Sequence, residues 1–294
     1  MSRPKLDGTA LDLFARRPAR SFMTQLSFVD AATTTQDGEE AGYRPRQVVE
    51  LSGTSDAPTT RVLEHVVVAF ITKSCKAHAQ AAQERAFIFD HEYQVSVDRI
   101  AALVARNVAA GQQDEAVREA LSRVQLCHCR DSFQWLATLN HLHYELLDAP
   151  TAPLMLVFNS VGSFQAIDKM TAKSVGSGLA LSDQVFVFLK QFIQHHSPIV
   201  FAAKELMKSS RDPWDHTEYM PSSWTSQVTK RILLRMPAPQ CDSLKVEEHI
   251  GMDDSRRDER AAFEARCIVA GKAQVYTCHI DGDGIISRTR VFHA

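Results

Sequence analysis

The segment Gly53-Thr54-Ser55-Asp56-Ala57-Pro58-Thr59-Thr60 has the length and setting of a loop that cradles phosphate. It follows an apolar run, Val48-Val49-Glu50-Leu51, and leads into a helix-like apolar run that begins near Val62. In that layout backbone N–H groups and a lysine hold the phosphates, and a hydroxyl reaches Mg²⁺. Here the lysine position reads Thr59 and the glycine before it reads Pro58. Thr59 carries no charge, so a charge-assisted hydrogen bond of about 1.5–3 kcal/mol is missing. Pro58 has no N–H and a fixed φ. Asp56 adds a carboxylate where a polyphosphate would lie, and like charges repel. Beyond the opening Gly53, only Thr60, at the metal-reaching position, fits the pattern. A chance Gly/Pro/Thr turn between strand and helix explains the same octapeptide.

Two further strand ends carry residues that belong to the same chemistry. Leu154-Met155-Leu156-Val157-Phe158-Asn159-Ser160 is an apolar strand ending in a polar side chain, where a phosphate-cleaving site of this layout keeps a metal-holding aspartate. Asn159 has the shape of aspartate without its charge, which makes it a poor partner for a hard cation. A cation lost at Thr59 and an anion lost at Asn159 form a matched pair of changes, leaving fewer unpaired buried charges than either alone. Phe89-Asp90-His91-Glu92 ends another strand, and its resemblance to the corresponding strand of RecA-like ATPases implies that Glu92 stands where they keep the carboxylate that activates the attacking water. Without lysine and metal that base has nothing to act on, so Glu92 reads as structural, a vestige of a catalytic position.

Positioning these residues requires a core, and the chain is long enough for one. It has 294 residues, 45% of them hydrophobic and 23% charged, with a formal charge of −2. That suits one α/β domain with a short extension and supplies no global basic field for nucleic acid. No apolar run approaches the roughly 20 residues of a membrane span, and the first residues lack a secretory signal's apolar stretch. Six cysteines spread over this length do not read as a disulfide framework, and the composition reads as intracellular. Cys127-His128-Cys129 lacks a second ligand pair, so buried thiols are expected there rather than zinc. His141 and Glu145 share a helix face, a pair expected to face solvent. His195-His196 precedes Pro198 at an expected helix end, where an imidazolium suits the dipole. No metal site is expected.

Residues 1–45 read as a polar N-terminal segment or linker, with Leu11, Leu13 and Phe14 on a short helix and Asp37–Glu40 as a flexible stretch. Residues 46–294 read as the core. Strands are expected at Val48–Ser52, Ala86–Asp90, Val124–Cys127, Leu154–Phe158 and Ile199–Ala203, and helices around 61–82, 96–110, 132–147 and 179–196. Short apolar strands alternating with helices predict a mostly parallel sheet covered on both faces. After Ala203 a long polar stretch to Thr229 intervenes. Strands at Arg231–Arg235, Phe263–Val269 and Gln274–Ile280 then predict an antiparallel C-terminal extension.

In this order the elements resemble the RecA-type recombinases of eukaryotic homologous recombination. Ala86-Phe87-Ile88-Phe89-Asp90-His91-Glu92 with Val97-Asp98-Arg99-Ile100 is similar to that family's strand, Asp-Thr-Glu and Pro-Glu-Arg-Leu segment. Leu156–Val161 is similar to its Walker B strand, and Pro198–Ala203 to the strand that follows. Gly8–Arg16 resembles the start of the short paralogue type that lacks an N-terminal helical domain. Such paralogues commonly keep Gly-Lys-Thr where this chain has Pro58-Thr59-Thr60.

The resemblance implies a RecA-like P-loop core with a degenerate nucleotide site (Gly53, Thr59, Thr60, Asn159), no required cofactor and at most weak ATP/Mg binding. It implies a nuclear, non-catalytic or weakly catalytic subunit that assembles with other recombinase paralogues. Such a subunit supports recombinase filaments on single-stranded or branched DNA in double-strand break repair, with no membrane involved. Leu11, Leu13 and Phe14 are then candidates for partner docking, although a helix packed on its own core is an equal reading. Two loops would face DNA, one with Phe164, Lys169 and Lys173, the other with Lys204, Lys208, Arg211, Trp214, Tyr219 and Trp224. Glu205, Asp212, Asp215 and Glu218 cancel much of the second loop's charge. An active ATPase with an atypical loop, or a RecA-fold adaptor outside repair, are the alternatives.

Overall fold

The computed structural model describes residues 21–35, 41–73, 84–107, 113–147, 152–175, 180–208, 214–237, 261–281, 286–287 and 291–293. Five runs of apolar residues form strands β1 (Val48–Gly53), β2 (Arg85–Asp90), β3 (Val124–Cys127), β4 (Leu154–Asn159) and β5 (Ile199–Glu205). A short hairpin, β6 (Met207–Lys208) and β7 (His216–Thr217), follows. The tail supplies β8 (Lys230–Arg235), β9 (Ala261–Val269), β10 (Lys272–Ile280), β11 (Ile286–Ser287) and β12 (Val291–His293). All but the hairpin join one sheet of order β11-β10-β9-β8-β1-β5-β4-β2-β3, with β12 also on β10.

From β8 to β3 every pairing is parallel. The expected mostly parallel sheet is therefore present, as are the antiparallel tail strands, but the turn to antiparallel pairing falls one strand later than expected. Strand β8 lies parallel to β1, Leu51 opposite Ile232, and antiparallel pairing begins at β9.

The helices are α1 (Ser27–Asp30), α2 (Thr59–Lys73), α3 (Val97–Arg106), α4 (Gln113–Leu121), α5 (Ser132–Leu147), α6 (Gln165–Val175), α7 (Leu181–His196) and α8 (Ser222–Thr225). Alternation along the strands divides the core between them. Val49, Leu51, Ile88, Val157 and Phe201 face α2 and α3, whereas Val48, Phe87, Phe89, Phe158 and Val200 face α5 and α7. Helices α4 and α6 were not expected. The first buries only Ala120 among mostly polar residues, and the second lies in what reads as a loop.

Part of the expected linker belongs to the core. Phe22 pairs with Tyr43 through two backbone hydrogen bonds, and Phe22, Phe28, Val29 and Tyr43 are buried against the sheet. Residues 1–20 and 36–40 lie outside the described residues, and with them Leu11, Leu13 and Phe14.

Candidate functional site

The residues singled out by the sequence gather at the carboxyl ends of the parallel strands. Gly53 ends β1, Asp90 ends β2 and Asn159 ends β4, while Thr59 and Thr60 open α2. The Thr60 hydroxyl lies 3.1 Å from Asn159 Oδ1. Asn159 Nδ2 donates to Asp90 Oδ1 at 2.9 Å, and Asp90 Oδ2 accepts the Val95 N–H at 2.9 Å. Hydroxyl, amide and carboxylate thus form one direct chain, with Asn159 and Asp90 buried. Exposed Glu92 completes the group, accepting from Ser163 Oγ at 2.9 Å and from Gln94 Nε2 at 3.1 Å. Sequence reasoning assembled Thr60, Asn159 and Glu92 but not Asp90, Gln94 and Ser163, which have no fixed spacing to mark them.

The loop itself is folded inward. Its Ala57 and Thr59 N–H groups donate to the Thr54 and Ala57 carbonyls, each at 2.8 Å, and the Thr54 N–H donates to Leu234 O at 3.2 Å. Above Gly53 the space is filled: a Cβ there would stand 2.4 Å from Thr59 Cγ2 and 3.0 Å from Ala57 Cβ. A bound polyphosphate needs those N–H groups turned outward and a cation beside them. In this loop the Thr54, Ala57 and Thr59 N–H groups are engaged within the fold, position 59 is a methyl-bearing neutral residue, and Thr60 bonds an amide.

The expected DNA contacts separate into two groups. Phe164 is half-buried with its ring 4.9 Å from His91, Lys169 Nζ donates to Tyr219 O at 2.9 Å, and Lys173 is exposed. Phe164 lies in the turn before α6, Lys169 near the middle of that helix and Lys173 in its last turn. Trp214 stacks under Arg235 at 4.3 Å. Lys208 ends β6, and Arg211 lies outside the described residues.

Two expectations are corrected. Trp224 is fully buried against Phe186, and its indole N–H donates to Glu50 Oε2 at 2.6 Å, so it offers no face to a base. Lys204 is buried between Glu50 (3.2 Å) and Glu218 (2.8 Å), so it is no phosphate contact.

Those corrections expose a buried charge cluster that local reading missed. Glu50 also accepts from Ser52 Oγ and Arg231 Nε, each at 2.7 Å, and Arg231 reaches Glu218 at 2.9 Å. Two carboxylates face two cations, which makes the burial tolerable. Burial opposes the charge of Glu218, but hydrogen bonds from Lys204 and the Met220 N–H, with the charges of Lys204 and Arg231, outweigh it and lower its pKa. The signal in the sequence was a glutamate inside the otherwise apolar run of β1.

Burial depresses the pKa of two histidines. Burial lowers the pKa of His91 from 6.5 to about 4, against the opposing hydrogen bond to Ser160 O and the charge of Asp90. The unfolded chain takes up this proton below pH 6.5, while the folded chain does so only near pH 4. The stabilisation from a neutral His91 is therefore complete above pH 6.5 and falls as pH drops towards 4. Unfolding free energy at pH 5 is expected to be about 2 kcal/mol lower than at pH 7 from this group. Urea midpoints at the two pH values check this, and His91→Gln should make the fall shallower.

His196 corrects the expected imidazolium. Burial, then His195 and His143, hold its pKa at about 4, and its Nε2 shares a hydrogen bond with His143 Nδ1 at 2.8 Å. Cys129 is buried and Cys127 partly so, and burial raises the pKa of both thiols, to about 11 for Cys127. Glu145 pairs with Arg85 at 2.6 Å. Among the described residues no three His, Cys, Asp or Glu side chains are placed to hold a metal ion, and no helix is long and apolar enough to cross a membrane.

No family model matches the chain. The chain is similar to the protein described as DNA repair protein XRCC2 of Mus musculus, with 24% identity over 244 residues, covering 76% of this chain and 82% of the relative. With the sheet described above, that similarity supports a RecA-like recombinase paralogue akin to the mouse protein.

Proposed function

We propose that this RecA-like recombinase paralogue serves DNA repair by homologous recombination as a structural subunit, without a working nucleotide site of its own. The reading rests on one observation: the phosphate loop is closed on itself while the strands around it keep their arrangement. Its Thr54, Ala57 and Thr59 N–H groups bond within the fold, and Thr60 bonds Asn159 directly at 3.1 Å. A sheet retained without its chemistry is useful as an assembly surface, and a neighbouring subunit would supply any ATP. The partners are other RecA-like paralogues, the setting is the nucleus, and the complex supports recombinase filaments on single-stranded or branched DNA.

Tagged purification from cells with identification of the bound proteins tests this role. Recovery of other RecA-like subunits is expected. Recovery only of proteins unconnected with DNA repair would replace this reading with an adaptor role.

Direct DNA contact by this subunit falls to the turn before α6 and to the helix itself. Lys169 and Lys173 on that helix carry exposed positive charge, and half-buried Phe164 lies in the turn before it. Charge reversal at both lysines is expected to weaken single-strand binding and to reduce its salt slope by about 1–2. Fluorescence anisotropy across a salt series measures both. Binding insensitive to salt and to Lys169→Glu/Lys173→Glu would remove this surface from the DNA path.

A further inference from the structure

The turn after β4 holds a backbone conformation that needs outside support. Ser160 has φ 61°, left-handed for a non-glycine residue, a strain that persists only where contacts over-determine it. The contacts are present. His91 Nδ1 bonds Ser160 O at 3.2 Å, Ser163 Oγ donates to the same carbonyl at 2.8 Å, and Ser163 also reaches Glu92.

A second segment closes over this turn. The Tyr219 ring lies against Gly162 so tightly that a Cβ there would stand 2.3 Å from its hydroxyl oxygen and 3.0 Å from ring carbons. Its carbonyl accepts from Lys169 on α6. Its neighbour Glu218 is held by Lys204 and Arg231, and Lys204 also lies 5.7 Å from the Tyr219 ring centre. The segment is thereby anchored at the buried Glu50 cluster on one side and pressed on the 160–164 turn on the other.

We propose that residues 214–221 act as a strap that fixes the 160–164 turn and the start of α6 in one conformation, with Tyr219 as the positioning residue. The strap does the work of a ligand in holding the strand ends, so the surface bearing Phe164 and Lys169 is preformed. This rests on the reading of the nucleotide site as disarmed, because a fixed turn needs no nucleotide to set it. Anchorage through Glu218 makes the two segments cooperative: releasing either end frees both.

Hydrogen exchange of the full-length protein, read by mass spectrometry on segments 160–169 and 214–221, tests the strap. Tyr219→Ala is expected to speed exchange in both segments by tenfold or more while β1 and β5 keep their protection. Glu218→Gln, which leaves Tyr219 in place but weakens the anchor, is expected to do the same to a smaller extent and serves where Tyr219→Ala fails to fold. Faster exchange in 214–221 with 160–169 unchanged would overturn the strap. A different result, exchange of 160–169 in the unsubstituted protein slowed by Mg²⁺-ATP, would overturn the disarmed site while leaving the strap's contacts intact.

Discussion

Trp224→Ala is expected to lower the unfolding free energy by about 3–5 kcal/mol, the usual cost of truncating a large buried aromatic side chain. The residue is fully buried, lies 5.4 Å from the Phe186 ring, and donates its N–H to Glu50. Truncation therefore removes packing and a hydrogen bond to a buried carboxylate together. Denaturant midpoints with an unchanged m-value measure the loss. Affinity for single-stranded DNA, corrected for the folded fraction, should not change. Trp224→Phe keeps most of the volume and leaves one Glu50 oxygen short of a donor, so about 1–3 kcal/mol is expected. A folded, stable Trp224→Ala protein with weakened DNA binding would return this residue to the surface role that its polar neighbours suggest.

Lys204→Met is the second large effect. The ammonium lies 3.2 Å from Glu50 and 2.8 Å from Glu218, and Glu50 is fully buried. Removing one partner of a buried pair leaves an uncompensated charge, at a cost of about 3–5 kcal/mol. Arg231 still reaches Glu50 at 2.7 Å, which places the expected loss at the lower end, about 3 kcal/mol. Adding Glu50→Gln should recover part of it, because the amide oxygen can still accept from Arg231 and Ser52 while the buried charge is gone; recovery stays partial because the amide nitrogen then faces the Trp224 N–H. A double-mutant cycle on unfolding free energies reads that coupling. Additive losses would mean that the two groups do not act as a pair.

The strands were legible because their runs are apolar and short: VVELSG, RAFIFD, LMLVFN and IVFAAKE are buried along nearly their whole length. The direction of β8 was not. Its partner β1 is about 180 residues earlier, with Val49 opposite Lys230, and no local pattern records which way a distant strand will pair. Helix α4 was hidden by its polarity, since it buries only Ala120. Trp224 was hidden by its neighbours in Ser222-Ser223-Trp224-Thr225, a polar stretch that reads as a surface loop.

The candidate site was legible in its residue types. Spacing placed Thr60, Asn159 and Glu92 at strand and helix ends, and the fold brings them together. The inward hydrogen bonds of the loop were not legible, because they depend on how Thr59 and Ala57 fill the space over Gly53.

Calorimetric and thermal titration of the purified full chain with Mg²⁺-ATP tests the central claim most directly. The closed loop predicts no saturable heat and no change in melting temperature at about 1 mM ATP, a limit on binding of about −4 kcal/mol. Thr59→Lys should behave the same way, because Pro58, Asp56 and the inward N–H groups remain. An affinity near 10 μM would instead stabilise the fold by about 2.7 kcal/mol at that concentration. That stabilisation, or hydrolysis lost on Thr60→Ala, would show that the pocket still works.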